Sequence, residues 1–251
     1  TLARQAREAG GRVTIISSDK DLMQLVTDGV EILRPGMQGK ADELVGAEGV
    51  TERFGVGPEL MIDLQAVAGD SIDNIPGVKG VGVPTAAMLL QAVGPVEGLF
   101  DEASRERILG DLEEEIAEWT RAAEERLERR VKLNSKKDAA DIVRVLSGED
   151  AGAELSPAEL ETLAKNGNET AAQLIEMRNK TKVIRNVAPK VAAAEDDVRL
   201  SKSLVALDDR TPLDFTLDDL AVRQPDPETL LGFLTDMEFR TISRRVAEKL
   251  G

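Results

Sequence analysis

Residues 66–90, AVAGDSIDNIPGVKGVGVPTAAMLL, constrain this chain more than any other stretch. An aspartate pair, Asp70 and Asp73, runs directly into a glycine-punctuated turn and then a short apolar helix. The segment from Ile75 through Ala87 reads as a helix–hairpin–helix. In such a hairpin Gly80 and Gly82 let backbone N–H groups approach a phosphate at a helix N-terminus. Carboxylates suited to a divalent metal beside a phosphate-gripping hairpin point to an enzyme that cuts nucleic acid.

Composition narrows the chemistry. Cysteine and histidine are both absent from the 251 residues, which excludes disulfides, thiolate metal sites, a histidine base and most zinc chemistry. Any metal must be a hard cation held by oxygen, so magnesium or manganese is expected. The apolar share of 41% supports a packed core. No apolar run approaches a membrane span and no signal-peptide pattern opens the chain, so a cytoplasmic, membrane-free protein is expected. The net charge of −15 is spread over the chain, about −6, −6 and −3 for residues 1–100, 101–200 and 201–251. Proteins that grip phosphate usually carry a basic patch, so charge alone argues mildly against nucleic acid. A hairpin that binds through backbone dipoles, and a metal cluster that itself needs acids, answer that objection.

The local pattern is α/β. Residues 1–10 read as a helix, 12–17 as an apolar strand of the kind buried in a parallel sheet, 21–26 as a helix and 30–33 as a second strand. A glycine-spaced connection with a short helix near 51–54 follows, then a helix from Pro58 to about Ala68 and the hairpin helix from Pro84 to Val93. Residues 103–133 form a charged helical pattern with an apolar stripe at Ile108, Leu112, Ile116 and Trp119. That run reads as a solvated or packed helix, with Trp119 in a core. Residues 134–155 read as loop-rich. Ser156-Pro-Ala-Glu159 has capping-box spacing, Asn166-Gly-Asn168 breaks the chain, and helices are expected over 169–180 and 227–236.

Ser18-Asp19-Lys20-Asp21 follows the first strand, at the strand end where parallel sheets place ligands. Alone, Asp19 or Asp21 reads better as a helix cap than as a metal ligand. Asp70 and Asp73 alone read as a turn; if residues 70–73 are helical, both carboxylates share one face. Two such pairs together, the second abutting the hairpin, favour a joint metal site at Asp19, Asp21, Asp70 and Asp73. Lys79 reads equally as a solvated loop lysine and as a phosphate contact.

These residues, with Phe54-Gly-Val-Gly-Pro58 and the tail segments Leu200–Asp209 and Phe233–Arg240, resemble the 5′-nuclease domain of bacterial DNA polymerase I, a relative of the flap endonucleases. The resemblance covers roughly residues 1–102 and 196–251. It implies an α/β fold with a partial parallel-sheet, PIN-like and Rossmann-like nuclease core (1–65). The metal motif and helix–hairpin–helix DNA-binding subdomain (66–102), a mostly helical insertion (103–195) and a tail leading toward a polymerase (196–251) would follow. It implies a two-metal Mg2+ or Mn2+ site using Asp19, Asp21, Asp70 and Asp73, and cleavage of DNA at 5′ flaps, nicks and RNA-primed ends in replication and repair. DNA contacts would come from Gly77, Lys79, Gly80, Gly82 and Thr85, and a potassium ion would sit on the carbonyls of Val78, Gly80 and Val81.

Three departures accompany it. The family's first half is missing, consistent with a chain that starts at Thr1 in mid-helix, so the fragment alone is expected to be nearly inactive. Pro84 stands where the family usually has lysine. About eighty residues intervene between hairpin and tail. The parent is expected to be monomeric and continuous with a polymerase; the alternatives are a stand-alone 5′-nuclease and a DNA-binding remnant with a decayed metal site.

Overall fold

β-Branched residues build the first two strands, β1 (Val13–Ile16) and β2 (Val30–Arg34), in the computed structural model, which describes residues 1–36, 41–127 and 156–250. They pair in parallel with Val13 opposite Val30 and Ile15 opposite Ile32. A short third strand, β3 (Glu43–Val45), adds antiparallel to β2 with Ile32 opposite Val45. The expected α/β class holds, as a small mixed sheet on a mostly helical body. The parallel pair matches the sequence reading; β3 does not appear in it. Full burial of β1 is corrected too. Val13 and Ile15 are half-buried and Ile16 is 69% exposed, because β1 is the edge of the described sheet. β2, the middle strand, buries Val30 and Ile32.

Helix α1 (Leu2–Glu8) precedes the sheet, and α2 (Ala47–Phe54) follows it and ends on Gly55, whose φ of 76° stops the helix. Residues 21–25 form a 3₁₀ turn in place of the helix expected over 21–26. Residues 58–60 form another, which leads into α3 (Met61–Ala68). α3 is buried almost all round, by Met61, Leu64, Ala66 and Val67 on its apolar positions and by Asp63 and Gln65 as well. Two buried polar side chains in so short a helix need partners, and each reaches a different lysine-containing cluster. The hairpin helix α4 (Val83–Val93) packs Ala86, Leu89 and Leu90 against α3.

The charged run forms α5 (Glu102–Leu127); its continuation and the expected loop-rich stretch 134–155 lie outside the described residues. Ile108 and Leu112 pack on the main core. Trp119 packs on a second, smaller cluster of Leu160, Ala171 and Leu174, as its spacing predicts. The capping box opens α6 (Pro157–Lys165): the Ser156 hydroxyl accepts from the Glu159 N–H at 3.4 Å, and the Glu159 carboxylate accepts from the Ser156 N–H.

α7 runs from Glu169 to Ala193, well beyond the end expected near 180. Its buried positions Leu174, Met177, Thr181, Ile184, Ala188 and Val191 keep a three–four spacing to the end, enough to carry the helix through Pro189. α8 (Glu195–Val205), read from sequence only as part of an exit segment, instead packs along α3 through Val198 and Ser201. The expected α9 (Pro227–Asp236) is capped by Asp226, which accepts the Thr229 N–H at 2.8 Å, and pairs with α10 (Arg240–Leu250). Among the described residues no helix is long and apolar enough to cross a membrane.

Candidate metal centre

The chain leaves β1 at Ser17 and bends through polar contacts. The Ser17 hydroxyl accepts the Asp19 N–H at 3.1 Å, and Asp19 Oδ1 accepts the Asp21 N–H at 2.9 Å. Asp21 then opens the 3₁₀ turn with its carboxylate turned toward the end of α3. There Gln65, buried in α3, donates its side-chain N–H to Asp21 Oδ1 and fixes that oxygen. Lys20 reaches the same place: its Nζ lies 3.1 Å from Asp21 Oδ1 and also donates to Asp70 Oδ2.

Asp70 arrives by another route. α3 stops at Gly69, with φ 73°, and residues 70–75 form a closed turn. Asp70 N–H donates to Ile75 O at 3.0 Å and Ile75 N–H to Asp70 O at 2.7 Å. Asn74 takes the left-handed conformation, φ 61°, that asparagine tolerates. The helical geometry considered for residues 70–73 is therefore corrected: a turn, not a helix, sets Asp73 beside Asp70. Asp70 Oδ1 accepts the Ile72 N–H at 2.8 Å, which fixes the second carboxylate.

One carboxylate oxygen from each of Asp21, Asp70 and Asp73 lies within 4.8 Å of the others. Asp19 falls outside that group. The Lys20 hydrogen bond, aided by the Ile72 N–H, holds the Asp70 carboxyl below the usual carboxylate range. Burial pulls the Lys20 ammonium down, but its hydrogen bonds to Asp70 and Asp21 outweigh it and leave its pKa raised. The donor set is all hard oxygen, in a chain with no histidine or cysteine, and a cationic group already sits among the carboxylates. The chemistry of these residues fits a hard divalent cation.

The hairpin is joined backbone to backbone to the end of α3, just before this turn. Val78 N–H donates to Val67 O at 2.8 Å. Gly77, with φ 59°, leaves no room for a side chain: a Cβ there would lie 2.4 Å from Gly69 N. Gly77, expected at the DNA surface, is thus placed against Gly69 and buried. Lys79, Gly80 and Gly82 are exposed and Thr85 is half-buried. Gly80 is left-handed with open space around it, whereas Gly82 is extended, φ −93°, and forms the N-cap of α4. No side chain caps that terminus. Of the potassium candidates, Val78 and Val81 are buried and Val78 O accepts the Val81 N–H at 3.0 Å.

Gln65 and Lys20 were not singled out from sequence. Gln65 carries a signal, a polar residue inside the apolar run Met61–Ala68; Lys20 stands inside the Asp19–Asp21 motif.

The fold and site describe a mixed α/β protein whose acidic centre adjoins a hairpin. Residues 56–150 match the family model described as the 5′-3′ exonuclease, C-terminal SAM fold. The chain is 33% identical to DNA polymerase I of Rhizobium leguminosarum over 248 residues, 99% of this chain and 16% of that protein. It is 44% identical to DNA polymerase I of Bacillus subtilis over 119 residues, 45% of this chain and 13% of that protein. It is 39% identical to the 5′-3′ exonuclease of Aquifex aeolicus over 132 residues, 53% of this chain and 41% of that protein. The chain therefore spans less than half the length of each of these relatives, and the Rhizobium match extends across residues 103–195. These matches support reading the chain as similar to the 5′-nuclease region of DNA polymerase I, with residues 56–150 carrying the 5′-3′ exonuclease signature.

Proposed function

We propose that this chain serves an enzyme that hydrolyses phosphodiester bonds at 5′ ends and flaps of DNA during replication and repair, within a DNA polymerase I. The observation that carries the reading is the convergence of Asp21, Asp70 and Asp73 on one point, directly beside the hairpin. Asp21, Asp70 and Asp73 would hold divalent cation, with Gln65 and the Ile72 N–H keeping the Asp21 and Asp70 oxygens in place; Asp19, outside that group, would join from the adjoining turn. Bound magnesium or manganese supplies an activated water and steadies the leaving oxygen. The hairpin grips phosphate through exposed backbone at Gly80 and Gly82 and the first turn of α4, where Thr85 adds a donor and Pro84 offers none. Lys79 adds the local positive charge. A potassium ion on the carbonyls of Val78, Gly80 and Val81 belongs to the same reading.

The test is the double variant Asp70→Ala/Asp73→Ala in the intact gene product. Cleavage of a 5′-flap duplex with magnesium should be lost while DNA binding is largely spared. Unchanged cleavage would remove the metal-centre assignment.

A further inference from the structure

Lys20 occupies a position that a divalent cation would contest. Its ammonium bridges Asp21 and Asp70, two of the three converging carboxylates. The Asp70 side chain is only 8% exposed, so water screens its charge poorly and a resident cation is worth more there than at the surface. The Lys20 side chain is 43% exposed, which leaves its stem a path into solvent. An ammonium and a divalent ion cannot share the space between the same two oxygens without strong repulsion.

We infer that Lys20 is a built-in counter-ion, which holds Asp21 and Asp70 together in the metal-free protein and is displaced when divalent cation binds. The inference rests on the metal-centre reading above. It makes Lys20 a positioning residue. The site is kept assembled before metal arrives, and in return metal binds more weakly than the carboxylates alone would allow.

Manganese binding followed by electron paramagnetic resonance, at fixed neutral pH, tests this on wild type, Lys20→Met, Lys20→Arg and Asp70→Asn. Lys20→Met should bind manganese about three- to tenfold more tightly than wild type, since one positive charge has left the site. Lys20→Arg keeps the charge and should stay within about twofold of wild type. Without metal, Lys20→Met should melt a few degrees (about 2–5 °C) below wild type, and saturating manganese should close that gap. Unchanged or weaker manganese binding by Lys20→Met would overturn the inference while leaving the metal centre intact. Manganese binding that is undetectable, or indifferent to Asp70→Asn, would remove the metal centre itself and the role of Lys20 with it.

Discussion

Two lysines in this chain each bridge a pair of carboxylates, and their surroundings give them opposite characters. Lys20 links Asp21 and Asp70 at the open centre. Lys202, on α8, lies 2.6 Å from both Asp63 on α3 and Glu97 in the 3₁₀ turn after α4. The chemistry is the same and both carboxylates are largely covered; the balance between burial and the lysine's pull is not the same. Burial pushes the Asp63 carboxyl above its ordinary range even though Lys202 pulls it down. At Asp70 the lysine wins, and the carboxyl is held below that range. Asp63 is sealed between helices and its partner acts as a strut, tying the tail to the centre of the fold. Asp70 lies in the turn after α3, and its partner Lys20 is 43% exposed. What separates the two bridges is whether burial or the lysine dominates at the carboxylate.

The largest expected effect comes from breaking the open cluster without touching a charged group. Gly77→Ala adds a methyl 2.4 Å from Gly69 N at a left-handed position, so it should cost about 3 kcal/mol or more in urea unfolding. A cost below about 1 kcal/mol would mean that the turn and hairpin can part. Lys202→Met leaves Asp63 buried without its cation and should cost about 2–3 kcal/mol, at the low end for a broken buried pair because Lys202 is itself 31% exposed. Manganese affinity should not change; a parallel loss would show that the two clusters are coupled through α3.

Acid titration of the metal-free protein sharpens the contrast. Asp70, lowered on folding, contributes stability that is present above the ordinary carboxylate value near 4 and is lost as pH falls through its folded value. Asp63, raised on folding, contributes in the opposite sense. Its share is full below the ordinary value and is lost as pH rises through the folded one. Between pH 6 and 3, chemical denaturation should therefore show Asp70→Asn losing less stability than wild type and Asp63→Asn losing more. Identical slopes in the two variants would erase the distinction. The smallest effect belongs to Gln65→Leu, which removes one hydrogen bond from Asp21 and should cost about 1 kcal/mol while weakening manganese binding.

Where one local signal decided the structure, the sequence was readable. The β-branched runs at β1 and β2, the capping box at Ser156–Glu159, the Asn166–Asn168 break and the α4 stripe all carry their causes within a few residues. β3 spans three residues and leaves Glu43 and Leu44 exposed, so it offers no alternation to detect and exists because β2 has a free edge. α7 runs past the end expected near 180: its polar residues from Arg178 to Lys182 mask, locally, a stripe that only packing makes decisive. At the site, Asp21, Asp70 and Asp73 converge as the motif spacing suggested, while Asp19 lies outside the group, turned to its own backbone neighbour. Lys20, Gln65 and Lys202 owe their partners to contacts across 50, 44 and 105 positions of chain, a separation no local pattern encodes.

The meeting of Gly69 and Gly77 acts as a fixed spacer. Peptide rests on peptide there, with no rotamer between them to adjust. The distance from the carboxylate turn to the hairpin is thus set by covalent geometry, and side-chain changes nearby can alter how strongly either part holds its ligand without altering the interval between them. In a nuclease built on this plan, that interval would act as a ruler, setting how far from the gripped phosphate the strand is cut.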